Sequence, residues 1–244
     1  MRAACRLLHA TWHVLRAWFT IRFLFPKRTM AEREEWVQAW AARMLQVLGI
    51  QLELRGVPPV AGPMLLVANH ISWLDILVLH AARHCRFVSK ADVHHWPVIG
   101  TLANGAGTLY IERESRRDAM RVVHQMAESL GAGDILAVFP EGTTSDGRHL
   151  LPFHANLIQA AISVDAPVQP VALSFIDVAS DQQSFSPCYI GDDTLVGSVW
   201  RTLSGPPIKA VVAFGEPQRC QDRSRREWAA DLRSAVEELL RARR

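Results

Sequence analysis

At the start of the chain, polar and apolar residues separate by angle rather than by block. Arg2, Arg6, His9, His13, Arg16 and Thr20 step by four, three, four, three and four, which puts them on one stripe of a helix. The other faces carry Leu7, Leu8, Trp12, Leu15, Trp18, Phe19 and Phe23, with Phe25 just beyond. A membrane-crossing helix needs about 20 nearly uninterrupted apolar residues, and a secretory leader needs a clean apolar stretch. Neither is present, and the basic-and-aromatic makeup predicts a helix lying in a lipid interface. Pro26 ends it. Thr29 with Glu32 forms a capping box for a second helix, whose apolar face reads Trp36, Val37, Trp40, Ala41, Met44, Leu45 and Leu48 before Gly49 stops it. Four of the eight tryptophans fall before residue 41, and tryptophan favours the headgroup level of a bilayer. Residues 1–50 are therefore expected to form a membrane-seating helix pair; the plainer alternative is that both helices only pack on the core.

Beyond residue 50 the pattern changes to short apolar runs alternating with helical spacing. Met64–Ala68, Arg86–Ser89, Thr108–Ile111, Ile135–Phe139, Val168–Phe175 and Ile208–Phe214 read as strands. Helical spacing appears at Leu74, Leu77, Val78 and Ala81, over Ser115–Leu130, at Leu157, Ile158, Ala161 and Ile162, and over Trp228–Leu240 behind a capping box of Ser224 and Glu227. Residues 176–207, rich in Ser, Asp, Pro and Gly, read as an irregular excursion. Strands alternating with helices predict an α/β fold with a mixed, mainly parallel sheet covered on both faces, residues 51–244 forming one domain with its motif core at 65–175.

Composition narrows the partners. With 49% hydrophobic and 21% charged residues the chain is an ordinary globular sequence, and its net charge of +3 is no argument for nucleic acid. The charge is uneven. Residues 1–28 hold Arg2, Arg6, Arg16, Arg22, Lys27 and Arg28 and no acidic residue, so the remainder is net negative; anionic lipid is the natural partner of such a helix. Cys5, Cys85, Cys188 and Cys220 are far apart, without a Cys-x-x-Cys pair, and are expected to be reduced thiols facing the cytoplasm.

Two polar clusters follow buried strands. In Asn69-His70-Ile71-Ser72-Trp73-Leu74-Asp75, a histidine in a loop and an aspartate in the first turn of a helix can meet, which makes a base with an orienting carboxylate. In one regular helix the two would lie about 140° apart, so the pairing requires a break. A structural histidine beside a helix-start aspartate is the alternative. Phe139-Pro140-Glu141-Gly142-Thr143-Thr144-Ser145-Asp146-Gly147 is a loop of glycines and hydroxyls able to offer donors to an anion, without the lysine of a P-loop. Lys90 and Arg113 follow predicted strands, where each is either a solvated end or an anion contact.

Taken in order, these blocks resemble the lysophospholipid acyltransferases. The His-x4-Asp block of that family matches His70 to Asp75, its Gly-apolar-Arg block Gly107 to Arg113, its Phe-Pro-Glu-Gly-Thr block Phe139 to Thr143, and its Pro-containing strand entry Ala166 to Val171. The resemblance implies transfer of an acyl chain from acyl-CoA or acyl-carrier protein to a lysolipid hydroxyl, with no metal and no cofactor. His70 and Asp75 would be the catalytic pair. Lys90, Arg113, Glu141, Gly142 and Thr143 would hold the acceptor, Glu141 by positioning Arg113 or the loop, with Asn69, Ser72, Gly107, Pro140 and Pro170 in support. Its partners would be a bilayer and a lysophospholipid at the cytoplasmic face of the inner membrane, with peripheral or monotopic attachment. The leading acceptor is 1-acyl-sn-glycerol-3-phosphate, giving phosphatidic acid; the alternative is another lysolipid such as lyso-ornithine lipid. Thr144 bears on that choice, because many phosphatidate-forming members carry arginine there. An acyl chain also implies a long apolar tunnel.

Other classes fit less well. His80, His84, His94 and His95 suggest a histidine-box iron oxygenase, but spanning helices are missing, and His80 and His84 are expected at the surface. A serine hydrolase lacks its Gly-x-Ser-x-Gly elbow. A catalytically silent lipid-binding module would keep the helix pair but lose an intact base and anion loop.

Overall fold

A computed structural model describes residues 2–111 and 116–242. Helix α1 (Arg2–Phe23) is followed by a short 3-10 turn at Phe25–Lys27 and by α2 (Met30–Leu48). The Thr29 and Glu32 capping box is formed in both directions, and Gly49 ends α2 in the left-handed conformation, at φ 76°, that a side-chain-bearing residue adopts only with strain. Strand β1 (Gln51–Arg55), β2 (Met64–Ala68), α3 (Leu74–Ala82), β3 (Arg86–Lys90), α4 (Ile99–Gly105), β4 (Leu109–Ile111), α5 (Arg116–Gly131), β5 (Ile135–Val138), α6 (Gln159–Ser163), β6 (Val168–Asp177), α7 (Leu195–Ser204), β7 (Ile208–Phe214) and α8 (Arg225–Arg241) complete the chain.

The strands form one seven-stranded sheet in the order β1-β7-β6-β2-β5-β3-β4. Every pairing is parallel except β6 with β7, which is the mixed, mainly parallel α/β sheet that the sequence predicts. Because side chains alternate along a strand, β2 sends Leu66 and Ala68 into one core and Leu65 and Val67 into the other. The first core lies under α3 and α2, and Ala10 of α1 joins it with Met44, Leu45 and Leu48 of α2. The second is closed by α5, α6 and α8 around Met126, Leu130, Ile158, Trp228 and Leu232. A strand buried on both faces has no polar side to show, which is why these runs are continuously apolar.

Four sequence expectations change in the folded chain. β1 and α4 carry no strong signal: β1 is a half-exposed edge strand of alternating polar and apolar residues, and α4 is a seven-residue helix with a glycine at each end region. The excursion at 176–207 is not irregular throughout, since β6 runs to Asp177 and Thr194 caps α7, its side chain accepting the Gly197 N–H. His80 and His84 are not at the surface. They are buried and stacked at 5.4 Å between ring centroids, with Phe87 edge-on to His80 and Gln38 of α2 accepting the His84 N–H at 3.4 Å. Finally, the polar stripe of α1 does not all face water. His13 stacks on Trp40 and hydrogen-bonds its carbonyl at 3.1 Å, and burial lowers its pKa. The helix buries its small residues, Ala10 and Ala17, and leaves Leu8, Trp12, Leu15, Phe19 and Phe23 exposed. Among the described residues no helix is long and apolar enough to cross a membrane.

Candidate active site

β2, β5 and β3 are parallel neighbours, so their carboxyl ends meet along one edge of the sheet, where α/β proteins bind ligands. His70 leaves β2 there. The break that the pairing requires is present: His70 sits in a loop, α3 begins at Leu74, and Asp75 lies in its first turn. His70 Nδ1 is 2.7 Å from Asp75 Oδ2, and the same oxygen accepts the backbone N–H groups of Ile71 at 2.7 Å and Ser72 at 2.9 Å. One fully buried carboxylate thus fixes both the loop and the ring. With Nδ1 held by Asp75, Nε2 is the nitrogen left to exchange a proton.

The ring is held from its face as well. Phe139, following β5, stacks on the His70 imidazole at 3.9 Å with the planes 6° apart, a contact with no local signature in the sequence. Glu141 is buried and accepts the His70 backbone N–H at 2.8 Å and the Leu151 N–H at 2.9 Å, each on a different carboxylate oxygen. Burial raises its pKa, and those two N–H donors oppose the rise. Glu141 therefore ties the Gly-Thr loop to the histidine loop, and both its oxygens are occupied by backbone. Gly142 has φ 73°, and a Cβ there would meet the His154 ring at 3.1 Å, so the position demands glycine on two counts.

His70, Val88, Ser89, Lys90, Val138, Phe139, Gly142, Thr143 and Leu157 line a cleft of about 150 Å³. Lys90 is the one lysine or arginine among the described residues of that lining. Small-molecule pockets usually reach about 300–1,000 Å³, so the cleft formed by these residues is a small one. Arg113, expected as an anion contact, lies outside the described residues. The supporting residues act at a distance from the cleft. Asn69 donates to the Leu173 carbonyl at 3.0 Å and accepts the Leu173 N–H at 2.7 Å, joining the end of β2 to β6. The Ser72 hydroxyl donates to the Pro187 carbonyl. Gly107 offers its carbonyl to Arg86 at 2.8 Å, Pro140 offers its own to the His154 N–H at 2.8 Å, and Pro170 sits in β6 opposite Val67.

Thr144 is turned away from a binding role, because its hydroxyl donates to the Tyr189 carbonyl. Tyr189 in turn donates its N–H to Ile71 O at 3.1 Å, and Trp73 Nε1 donates to Ser198 Oγ at 3.1 Å. Residues 187–198, which carry no motif, thus hold the histidine loop from behind.

The Acyltransferase family profile matches residues 49–174. The chain is 38% identical over 224 residues to the lyso-ornithine lipid O-acyltransferase of Pseudomonas aeruginosa, covering 91% of this chain and 85% of that protein. It is 36% identical over 199 residues to the 1-acyl-sn-glycerol-3-phosphate acyltransferase of Neisseria gonorrhoeae, covering 81% and 76%. The fold is similar to the crystal structure of a 1-acyl-sn-glycerophosphate acyltransferase from Thermotoga maritima, with a TM-score of 0.68 at 17% identity over 97% of each chain.

Proposed function

The chain belongs to the Acyltransferase family, and on that premise we propose that it transfers an acyl group from an acyl-CoA or acyl-carrier-protein thioester to the hydroxyl of a lysolipid. The observation that carries the reading is the 2.7 Å contact of His70 with Asp75 at the mouth of a cleft that also holds Lys90 and Thr143. His70 Nε2 takes the acceptor's hydroxyl proton, and the oxygen attacks the thioester carbonyl. Asp75 holds the tautomer and stabilises the imidazolium. Collapse of the tetrahedral intermediate breaks the C–S bond, and the imidazolium returns its proton to the departing thiolate, leaving an ester and a free thiol. No cofactor or metal enters these steps.

Lys90 and the donors of the Gly142-Thr143 loop support an anionic or zwitterionic head group. Of the two acceptors expected from sequence, lyso-ornithine lipid is favoured, because the Pseudomonas aeruginosa relative that shares 38% identity over 91% of this chain bears that name and position 144 holds no cation. The exposed apolar face of α1 and the basic residues 1–28 support peripheral attachment to an anionic bilayer at the cytoplasmic face. The test is acyl transfer by the wild type and by His70→Ala, from acyl-CoA and from acyl-carrier protein, to lysophosphatidate, lyso-ornithine lipid and lysophosphatidylcholine. Product from the wild type alone is expected, with lyso-ornithine lipid preferred. Undiminished turnover by His70→Ala would overturn the mechanism, and preference for lysophosphatidate would overturn the acceptor.

A further inference from the structure

The stretch between β6 and β7 sits between the histidine loop and α1. It hydrogen-bonds Ile71, Ser72 and Trp73 through Tyr189, Pro187 and Ser198, and its helix α7 packs against α1. Beside the exposed Asp192 and Thr194 it shows four large apolar residues to solvent: Phe185, Ile190, Val196 and Trp200 are 41%, 42%, 79% and 48% exposed, with the Arg148 guanidinium 4.7 Å from the Phe185 ring centroid. Val196 and Trp200 are one turn apart and share a face of α7, opposite the buried Ser198 and Thr202. Single exposed apolar residues are ordinary on any protein. Four large ones in sixteen residues, beside a helix that exposes Leu8, Trp12, Leu15, Phe19 and Phe23, form a surface that wants a partner.

We propose that residues 185–200 are a second membrane-contacting element, extending the apolar face of α1 toward the His70 cleft. The inference rests on the reading of α1 as a lipid-facing helix. Its occupant is a bilayer containing anionic lipid, for three reasons. The surface is continuous with α1 through the α1–α7 packing, and the basic residues that attract such lipid lie on and just beyond α1. The stretch also holds the histidine loop through Tyr189, Pro187 and Ser198, so an apolar face there lies beside the cleft at which a membrane lipid would react. Trp200, exposed on one side, is also of the residue type that seats at a headgroup boundary. The element adds no free cation, since Arg201 is paired with Asp193 at 2.8 Å and Asp192 lies beside them. What Val196 and Trp200 add is therefore apolar and is not screened by salt, whereas the attraction of residues 1–28 is.

The distinguishing experiment is binding to vesicles of equimolar phosphatidylcholine and phosphatidylglycerol at low and high salt, for the wild type and for Val196→Ser/Trp200→Ser. The variant should partition about tenfold more weakly at both salt concentrations, keep the wild-type salt dependence, and retain wild-type turnover on detergent-dispersed lysolipid. Equal partition of wild type and variant overturns the second element while leaving the α1 reading intact. A wild type that does not bind overturns both. A second reporter, which keeps Trp200, is Val196→Cys in a Cys5→Ser, Cys220→Ser background, labelled with an environment-sensitive dye. Its emission should shift to the blue on adding vesicles, and an unshifted emission overturns the inference.

Discussion

In the proposed mechanism one imidazole and the atoms that fix it carry the chemistry. Truncating His70 to alanine removes the base and should lower kcat by about 10²- to 10⁴-fold with little change in KM, read by steady-state kinetics on mixed micelles. Glu141 tests positioning separately from catalysis, since it holds the backbone of His70 without itself lining the cleft. Glu141→Ala leaves two sheltered N–H groups, of His70 and Leu151, without their acceptor, a loss of about 1–3 kcal/mol by thermal or denaturant unfolding together with a fall in kcat. Glu141→Gln keeps one amide oxygen to accept and should recover part of both. A Glu141→Ala enzyme with wild-type stability and kcat would mean that the two loops hold their places without it. The histidine, the aspartate and the loop residues are legible in the sequence because each sits within a few residues of its partner or in a recognisable block. Phe139 stacked on His70 is not legible as a contact, because 69 positions separate them and only the β2–β5 pairing brings them together.

At the scale of elements, local codes were reliable wherever they were chemically complete. Both capping boxes form, at Thr29 with Glu32 and at Ser224 with Glu227, and hydrogen bonds from the cap residue hold both glutamate pKa values down, the Thr29 N–H and hydroxyl for Glu32 and the Ser224 hydroxyl and N–H for Glu227. Thr29→Ala should cost about 0.5–2 kcal/mol of stability, measurable as a shift of the urea midpoint at unchanged slope; no shift would mean that packing of α2 on α3 alone fixes the helix start. The short apolar strands were equally readable. β1 and α4 were not, since a half-exposed edge strand and a two-turn helix are defined by what they lie against. The same holds for α7, whose cap residue Thr194 is a weak signal inside a loop-like composition.

For the whole molecule, the burial of His80 and His84 has a consequence for acid stability. Desolvation pushes His80 down to about 3 and, with the charges of Arg83 and Arg86 opposing the Ala106 carbonyl, His84 down to about 4. In the unfolded chain both titrate near 6.5. The fold therefore holds them neutral while the unfolded state takes up protons as pH falls. Their stabilising effect is complete above about pH 6.5, is lost at up to about 1.4 kcal/mol per pH unit for each histidine below it, and levels off for His84 near pH 4 and for His80 near pH 3. His80→Leu removes one of these protons, and because His80 Nδ1 has no hydrogen-bond partner among the described residues, it leaves no donor stranded there. Denaturant unfolding between pH 4 and 6.5 should show a flatter stability profile for the variant, and an identical profile would show that His80 is not held neutral by the fold.

The sequence by itself determined the strand runs, both helix caps, the basic and aromatic first helix, and the residue types of the reacting loop, because these depend on side-chain period and on partners a few residues away. Only the tertiary structure decided that α2 lies on α3, that His80 and His84 are buried, that α1 turns Ala10 and Ala17 inward and leaves Leu8, Trp12, Leu15, Phe19 and Phe23 exposed, and that residues 187–198 hold the histidine loop. Those outcomes turn on which surfaces meet, and the free energy of burial belongs to the pair of surfaces rather than to either segment alone.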